Sequence, residues 1–430
     1  MVSNTSYQSS ALFRASCVAM TVTSMTASIR AGLLDEFSSE FNLTGAEIGW
    51  AIGTAFWGFT LAMVFAGTLC DILGMKRLAY MGFWSHLAGI ALTIFASGFW
   101  SLFLGTLLIG IANGMVEGYV NPLVAAMYPD QKIKVINKVH LWFPVGLVIG
   151  GLITFYMDEL MMPFGIKTWQ VKMAVILIPL VMYGYLFFRL KFPLTERVAE
   201  GISAKEMVKA CLNPLFIIIL ILMTFTSMTE WGPNQWIEQL LQSVASPILV
   251  LAWIGTIMAI GRALAGRVLQ VISSIELLLL ASFFSLIGLV MLGQSSTTIT
   301  VFASATIFAL GITYFWPTML GFVNENIPKS GALGLAVIGG WGMLASNFAQ
   351  PLLGSILDKQ IMDRLPKEYS LETVSKAVEG TLEWSIYQEA QLAAGQATIS
   401  FVAVFPLILL FGFGLLYYNK RRVKSLKKIV

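Results

Sequence analysis

Apolar runs of about 17–25 residues, the length that crosses a bilayer as a helix, alternate with short polar breaks along almost the whole chain. The pattern predicts twelve spans: 11–34, 48–70, 78–96, 102–127, 139–157 and 171–190, then 215–231, 245–266, 275–292, 300–323, 331–357 and 397–418. They fall into two sets of six, residues 1–190 and 214–418, joined by a polar segment at 191–213. In that linker Glu206 and Lys209 sit among apolar residues at helical spacing, which suggests a short amphipathic helix on a membrane surface. A long acidic segment, 358–396, separates the last two spans; its pattern around Leu371 to Ala394 suits surface helices, and a basic tail fills 419–430. The fold class is therefore all-α and polytopic.

Composition agrees. The 430 residues are 57% hydrophobic and only 12% charged, about half the charge fraction of a soluble protein. Lys and Arg concentrate on one side of the predicted spans: Arg14, Lys76, Arg77, Lys132, Lys134, Lys138, Arg189 and the linker and tail residues fall together, against Lys167, Lys172, Lys359, Arg364, Lys367 and Lys376 on the other. The positive-inside rule then puts both termini in the cytoplasm of a cell (inner) membrane. No secretory signal is expected in the polar first ten residues. Cys17, Cys70 and Cys211 have no metal-ligand spacing, so neither disulfide nor structural zinc is expected.

The fourth span carries a carboxylate where hydrocarbon belongs. On a helix Gly110, Gly114 and Gly118 form one ridge, and Asn113, Glu117 and Asn121 an adjacent one. The glycines allow another helix to approach closely; the polar ridge then faces an enclosed space. A charge at mid-bilayer costs roughly 2.5–3.5 kcal/mol on insertion scales, so it is usually paired and functional. Glu117 is either such a site or a hydrogen-bonded packing lock.

Between the second and third spans stands Gly67-Thr-Leu-Cys-Asp71-Ile-Leu-Gly74-Met-Lys76-Arg77, a glycine turn with an acid–base cluster. After the eighth span come Gly261-Arg262 and Gly266-Arg267. These residues resemble the signature loop of the major facilitator superfamily and its degenerate second copy, which implies two pseudo-symmetric six-helix bundles and a gating role for Gly67, Asp71, Gly74, Lys76, Arg77, Arg262 and Arg267. Ile72 replaces the usual basic residue. Within that superfamily, Glu117-Gly-Tyr-Val-Asn121-Pro122 and Asn137-Lys-Val-His140-Leu-Trp-Phe143 resemble the fucose:proton symporter family and its hexose-transporting relatives. The resemblance implies sugar binding and proton coupling at Glu117, with Asn121 beside it. The aspartate that this family carries in its first span is missing; the aligned stretch reads Ser28-Ile-Arg30-Ala31-Gly32.

A sugar pocket needs flat apolar faces and groups that bond hydroxyls. Glu230-Trp231-Gly-Pro233-Asn234-Gln235-Trp236 and Tyr314-Phe315-Trp316-Pro317 offer both beside prolines that free backbone groups, and Trp341, Asn347 and Gln350 fall on the eleventh span. These, with Asn113, Asn121, Asn137, His140 and Phe143, are the candidate substrate contacts, and Glu230 joins Glu117 as a candidate proton carrier. Alternatives stand beside them. Trp231 and Trp236 are equally placed as interfacial belt residues, and Asn347 and Gln350 as interhelical bonds. Gly339, Gly340 and Gly342 suit close packing, and His86 suits packing too. Arg30 either snorkels to the outer surface with Asp35 and Glu36 or faces the cavity, where it would pair with a carboxylate or hold an anionic substrate.

The function expected is secondary active transport of a small polar solute, a hexose by proton symport first, with a sugar acid held by Arg30 or an exporter of metabolites or drugs as alternatives. An enzyme would need a nucleophile with its base, or a metal cluster; the two histidines and the missing HExxH and GxSxG motifs offer neither. The implied partners are the substrate, a coupling ion (a proton, with sodium as the alternative) and the bilayer. No cofactor, metal or nucleic acid is expected, and the chain is expected to be a monomer.

Overall fold

The computed structural model describes residues 8–128, 132–161, 168–193, 204–241, 246–375, 377–378 and 380–426. All regular structure among them is helical. Ten helices are long and apolar enough to cross a membrane. The third span, Met75–Ile94 with Lys76, Arg77 and His86, and the eleventh, Gly331–Met362 with Ser346, Asn347 and Gln350, are more polar and complete twelve.

Local chemistry sets the ends and the breaks. Thr44 and Glu47 form a capping box at the start of the second span, Gly45–Leu73, satisfying backbone donors that the helix itself cannot. That span ends at Gly74, whose φ of +85° suits glycine alone among ordinary residues. The turn delivers Lys76 to the end of the sixth span, where its Nζ donates to the carbonyls of Phe188 (3.1 Å) and Leu190 (2.9 Å). Four spans are interrupted: the fifth between Lys132–His140 and Trp142–Met161, the sixth between Thr168–Val175 and Leu177–Arg189, the tenth between Thr298–Ile312 and Phe315–Asn326, the twelfth between Leu382–Val402 and Val404–Leu426. Each break precedes a proline, Pro144, Pro179, Pro317 or Pro406, whose missing N–H leaves the carbonyl four residues earlier unpaired within the helix.

Glycine places the fourth span, Phe99–Met127, against the second. Side chains at Gly110, Gly114 and Gly118 would collide with Ala55, Phe59 and Ala66, so the ridge seen in the sequence packs backbone to backbone. The second span has another bare ridge, Gly45, Gly49 and Gly53, which the sequence analysis did not single out. It lies on the eleventh span: a Cβ would sit 2.6 Å from Asp358 Oδ1 at Gly45, 2.9 Å from Pro351 Cα at Gly49 and 2.8 Å from Asn347 Oδ1 at Gly53. This seam joins the two halves at the end of the molecule opposite Lys76 and Arg77, called the far end below.

The first and seventh spans, Ser9–Ala31 and Pro214–Gln235, also meet there, as do the fifth, Trp142–Met161, and the eighth, Pro247–Val271, where Gly151 packs on Ile248 and Ala252. The 358–396 segment is largely helical: the eleventh helix continues to Met362, a short helix covers Leu371–Val374, and the last span begins at Leu382. The linker contains the expected short helix, Ala204–Cys211, while 194–203 lies outside the described residues, as do the side chains of Asp71, Asn137 and Lys420 to Arg422.

Candidate functional site

Between the halves lies a cavity, part of it continuous with solvent. Its wall brings together Arg30 from the first span, Asn113 and Glu117 from the fourth, His140 and Phe143 around the start of the fifth, Glu230 from the seventh, Arg262 from the eighth and Trp316 from the tenth. Seven of these eight were candidate substrate contacts in the sequence. Arg262, expected at a gate, is instead a buried part of this wall.

The N-terminal half presents a bonded network. Asn121 Nδ2 donates to Glu117 Oε2 at 3.0 Å, and His140 Nε2 donates to Asn121 Oδ1 at 2.9 Å. The same imidazole nitrogen lies 3.7 Å from Glu117. Behind them Tyr183 donates to His86 Nδ1 (2.8 Å), His86 Nε2 donates to Asn113 Oδ1 (2.7 Å), and Asn113 Nδ2 donates to Thr26 Oγ1 (3.2 Å). An amide oxygen only accepts, so His86 Nε2 carries a proton, and a neutral ring then accepts from Tyr183 at Nδ1.

The C-terminal half contributes charge. Arg262 Nη2 lies 3.8 Å from Glu230 Oε1, and its Nε donates to the Thr313 carbonyl at 3.1 Å. That carbonyl is the one Pro317 leaves without its helical donor, so the break in the tenth span is what anchors the guanidinium. Arg262 also feels the charge of Glu117 across the cavity.

Arg30 does not snorkel. It is buried, its Nε and Nη2 donate to Gln235 Oε1 at 3.2 and 2.8 Å, and its guanidinium stands 5.8 Å from the centre of the Phe56 ring, within cation–π range. No carboxylate among the described residues lies within ion-pair distance of it, and its Nη1 has no partner among them.

Other candidates lie elsewhere. Gln235 holds Arg30 rather than lining the cavity. Asn234, Trp236, Asn347 and Gln350 are buried above the cavity, toward the far end. Trp341 is exposed on the outer face, its Nε1 donating to Thr224. Arg77 and Arg267 are exposed. Sequence reasoning kept Phe56 and Phe59 out of the site; both sit on an apolar span that carries no polar flag. Trp231 was weighed as a belt residue, yet it lines the cavity, its ring edge-on to Phe56 (5.4 Å) and Phe143 (5.8 Å).

Twelve spans in two halves around a charged central cavity define a multi-pass membrane transporter, not an enzyme. The chain belongs to the Major Facilitator Superfamily, whose family profile matches residues 16–359. It is similar to the gentisate transporter of Corynebacterium glutamicum, 23% identical over 377 residues, 78% of this chain and 83% of that protein. It is also similar to the galactose-proton symporter of Escherichia coli, 26% identical over 152 residues, about a third of either protein (35% and 32%). Among solved structures, a bacterial homologue of the human lysosomal transporter Spinster, in an inward-facing, unoccupied conformation, superposes with a TM-score of 0.76 at 14% identity, covering 95% of this chain and 96% of that one.

Proposed function

We propose that this transporter moves a small organic acid, of the sugar-acid or hydroxylated-acid kind, together with a proton. The observation that carries the reading is Arg30: a buried guanidinium on the cavity wall with no carboxylate partner among the described residues. A bare buried cation costs several kcal/mol unless something compensates it, and a planar donor fork matches a substrate carboxylate. The amides expected to bind hydroxyls mostly lie outside the cavity, and Asn113 already bonds His86 and Thr26, so charge outweighs amide recognition here.

The charges also supply a reason for coupling. With His140 neutral, Arg30 and Arg262 balance Glu117 and Glu230. A bound monocarboxylate makes the cavity negative, and one proton restores neutrality before the closed cavity crosses between states. Glu117 is the acceptor this reading assigns. Its partners, Asn121 and His140, both belong to the N-terminal half and can follow its change of charge without disturbing the seam. Glu230, the second candidate carrier, is already engaged by Arg262. Positive-inside topology places the Lys76 and Arg77 end in the cytoplasm and the closed far end outside.

A neutral hexose is the second reading, favoured by the similarity to the galactose-proton symporter. Uptake of labelled D-glucuronate and D-galactose into proteoliposomes, with and without an inward proton gradient, separates the two. The proposal expects gradient-driven accumulation of the acid, abolished by Arg30→Gln. In Glu117→Gln, accumulation falls at least about 100-fold while acid-for-acid exchange persists. Accumulation of galactose alone would overturn it in favour of the hexose.

A further inference from the structure

Glu230 and Trp231, consecutive on the seventh span, each keep one polar atom without a partner among the described residues: the carboxylate oxygen Oε2 and the indole Nε1–H. Both residues are more than nine-tenths buried, and both line the cavity with Arg30. Neither is free to turn away. Glu230 is pinned through Oε1 by Arg262, which is itself fixed to the Thr313 carbonyl. Trp231 is clasped between Phe56 and Phe143, which come from the other half of the molecule. A fixed acceptor and a fixed donor therefore belong to the same cavity wall as the unpaired cation of Arg30.

We infer that Glu230 and Trp231 read a hydroxyl on the substrate, so that the site selects hydroxylated monocarboxylates. The inference rests on the assignment of the substrate carboxylate to Arg30. A hydroxyl is the group that donates to Glu230 Oε2 and accepts from Trp231 Nε1 at once. An ammonium only donates and leaves the indole N–H buried and unpaired. A second carboxylate meets the negative Glu230. A bare hydrocarbon leaves both groups unsatisfied, the situation in which a polar site discriminates most strongly.

The test is binding to the purified transporter, read as ligand-induced thermal stabilisation so that proton coupling is not required. The probes are 3-hydroxybenzoate, benzoate and benzene-1,3-dicarboxylate, which share one flat ring and differ in the group under test, together with D-glucuronate. Wild type is expected to prefer 3-hydroxybenzoate over each of the other two aromatic acids by roughly 10- to 100-fold. Trp231→Phe keeps the ring and loses the N–H, and should cut the preference over benzoate about 10-fold while benzoate affinity holds. Glu230→Gln should raise affinity for the dicarboxylate. Equal affinity for benzoate and 3-hydroxybenzoate in wild type, with both lost in Arg30→Gln, overturns the hydroxyl reader and leaves the organic-acid proposal standing. Carboxylate binding that survives Arg30→Gln, or that is absent from wild type, overturns the proposal itself.

Discussion

Around the cavity and the seam, with Arg30 Nη1 as the exception, the two halves treat buried polar groups in opposite ways. In the N-terminal half, Thr26, His86, Asn113, Glu117, Asn121, His140 and Tyr183 satisfy one another through bonds of 2.7–3.2 Å. In the C-terminal half, Glu230 Oε2, Trp231 Nε1, Asn234 Oδ1, Trp236 Nε1, both amide atoms of Asn347 and Gln350 Oε1 have no partner among the described residues. Each such atom costs about 1–3 kcal/mol when buried. A stable scaffold would not keep them. They make sense on a surface that is buried in one state and meets water or substrate in another, whereas a bonded network makes sense where geometry has to persist. Arg30 apart, the N-terminal half holds the chemistry of the cavity fixed, and the C-terminal half holds more of its bonding capacity in reserve.

Breaking the one strong tether of the C-terminal half should have the largest effect. Arg262→Gln strands Glu230 as an uncompensated buried charge and is expected to destabilise the protein by about 3–5 kcal/mol. The double variant Glu230→Gln with Arg262→Gln should recover most of that loss, as measured by thermal unfolding in detergent. If the double variant is no more stable than the single, the pair does not act as a unit.

A matched pair of substitutions addresses the comparison itself. Asn113→Leu removes a bonded amide and orphans His86, and should cost about 2–3 kcal/mol. Asn347→Leu removes an amide with neither atom paired, and should be neutral or stabilising by about 1 kcal/mol. It should also slow turnover, because it favours the closed seam. The same sign of stability change in both would erase the contrast between the halves.

The smallest expected effect is electrostatic. Asp35, beyond the first span, is half-buried at the far end; desolvation there raises its carboxyl above the ordinary range of about 4, a hydrogen bond from Gln239 opposes the rise, and the neighbouring Glu36 adds to it. Tyr387 lies near enough to feel the charges of both Asp35 and Asp358. With a higher pKa in the closed seam than in water, Asp35 favours closure below about pH 4 and loses that contribution as pH rises through the raised value. Labelling of a cysteine in place of Asn347, divided at each pH by the rate of the same cysteine in an Asp35→Asn background so that thiol ionisation cancels, should therefore rise as pH rises across that window. A ratio that does not change with pH would remove Asp35 from the seam's energetics.

The fold was legible because membrane insertion writes itself into one dimension: apolar length, proline and the Gly74 turn are local signals. The glycine ridge of the fourth span and the polar ridge beside it were also legible, since helical spacing alone puts Gly110, Gly114 and Gly118 on one face. Arg262 was expected at the rim because its motif speaks of one; what no motif shows is that the Thr313 carbonyl, freed by Pro317, holds it in the cavity wall. Asn347 and Gln350 have the right chemistry for a pocket, but which helix covers them is a three-dimensional fact. Gly45, Gly49 and Gly53 were passed over for the same reason, since nothing in a spacing says what will lie on it.

That second ridge has a consequence for speed. Closing an ordinary protein interface freezes long side chains, at about 0.5–1.5 kcal/mol for each one immobilised. Gly45, Gly49 and Gly53 have no rotamers to lose, and the groups they meet on the eleventh span include Pro351, whose ring is already rigid, and the short side chains of Asn347 and Asp358. The far end can therefore shut and reopen with little reordering of side chains, leaving the pace of the cycle to the motion of whole helices.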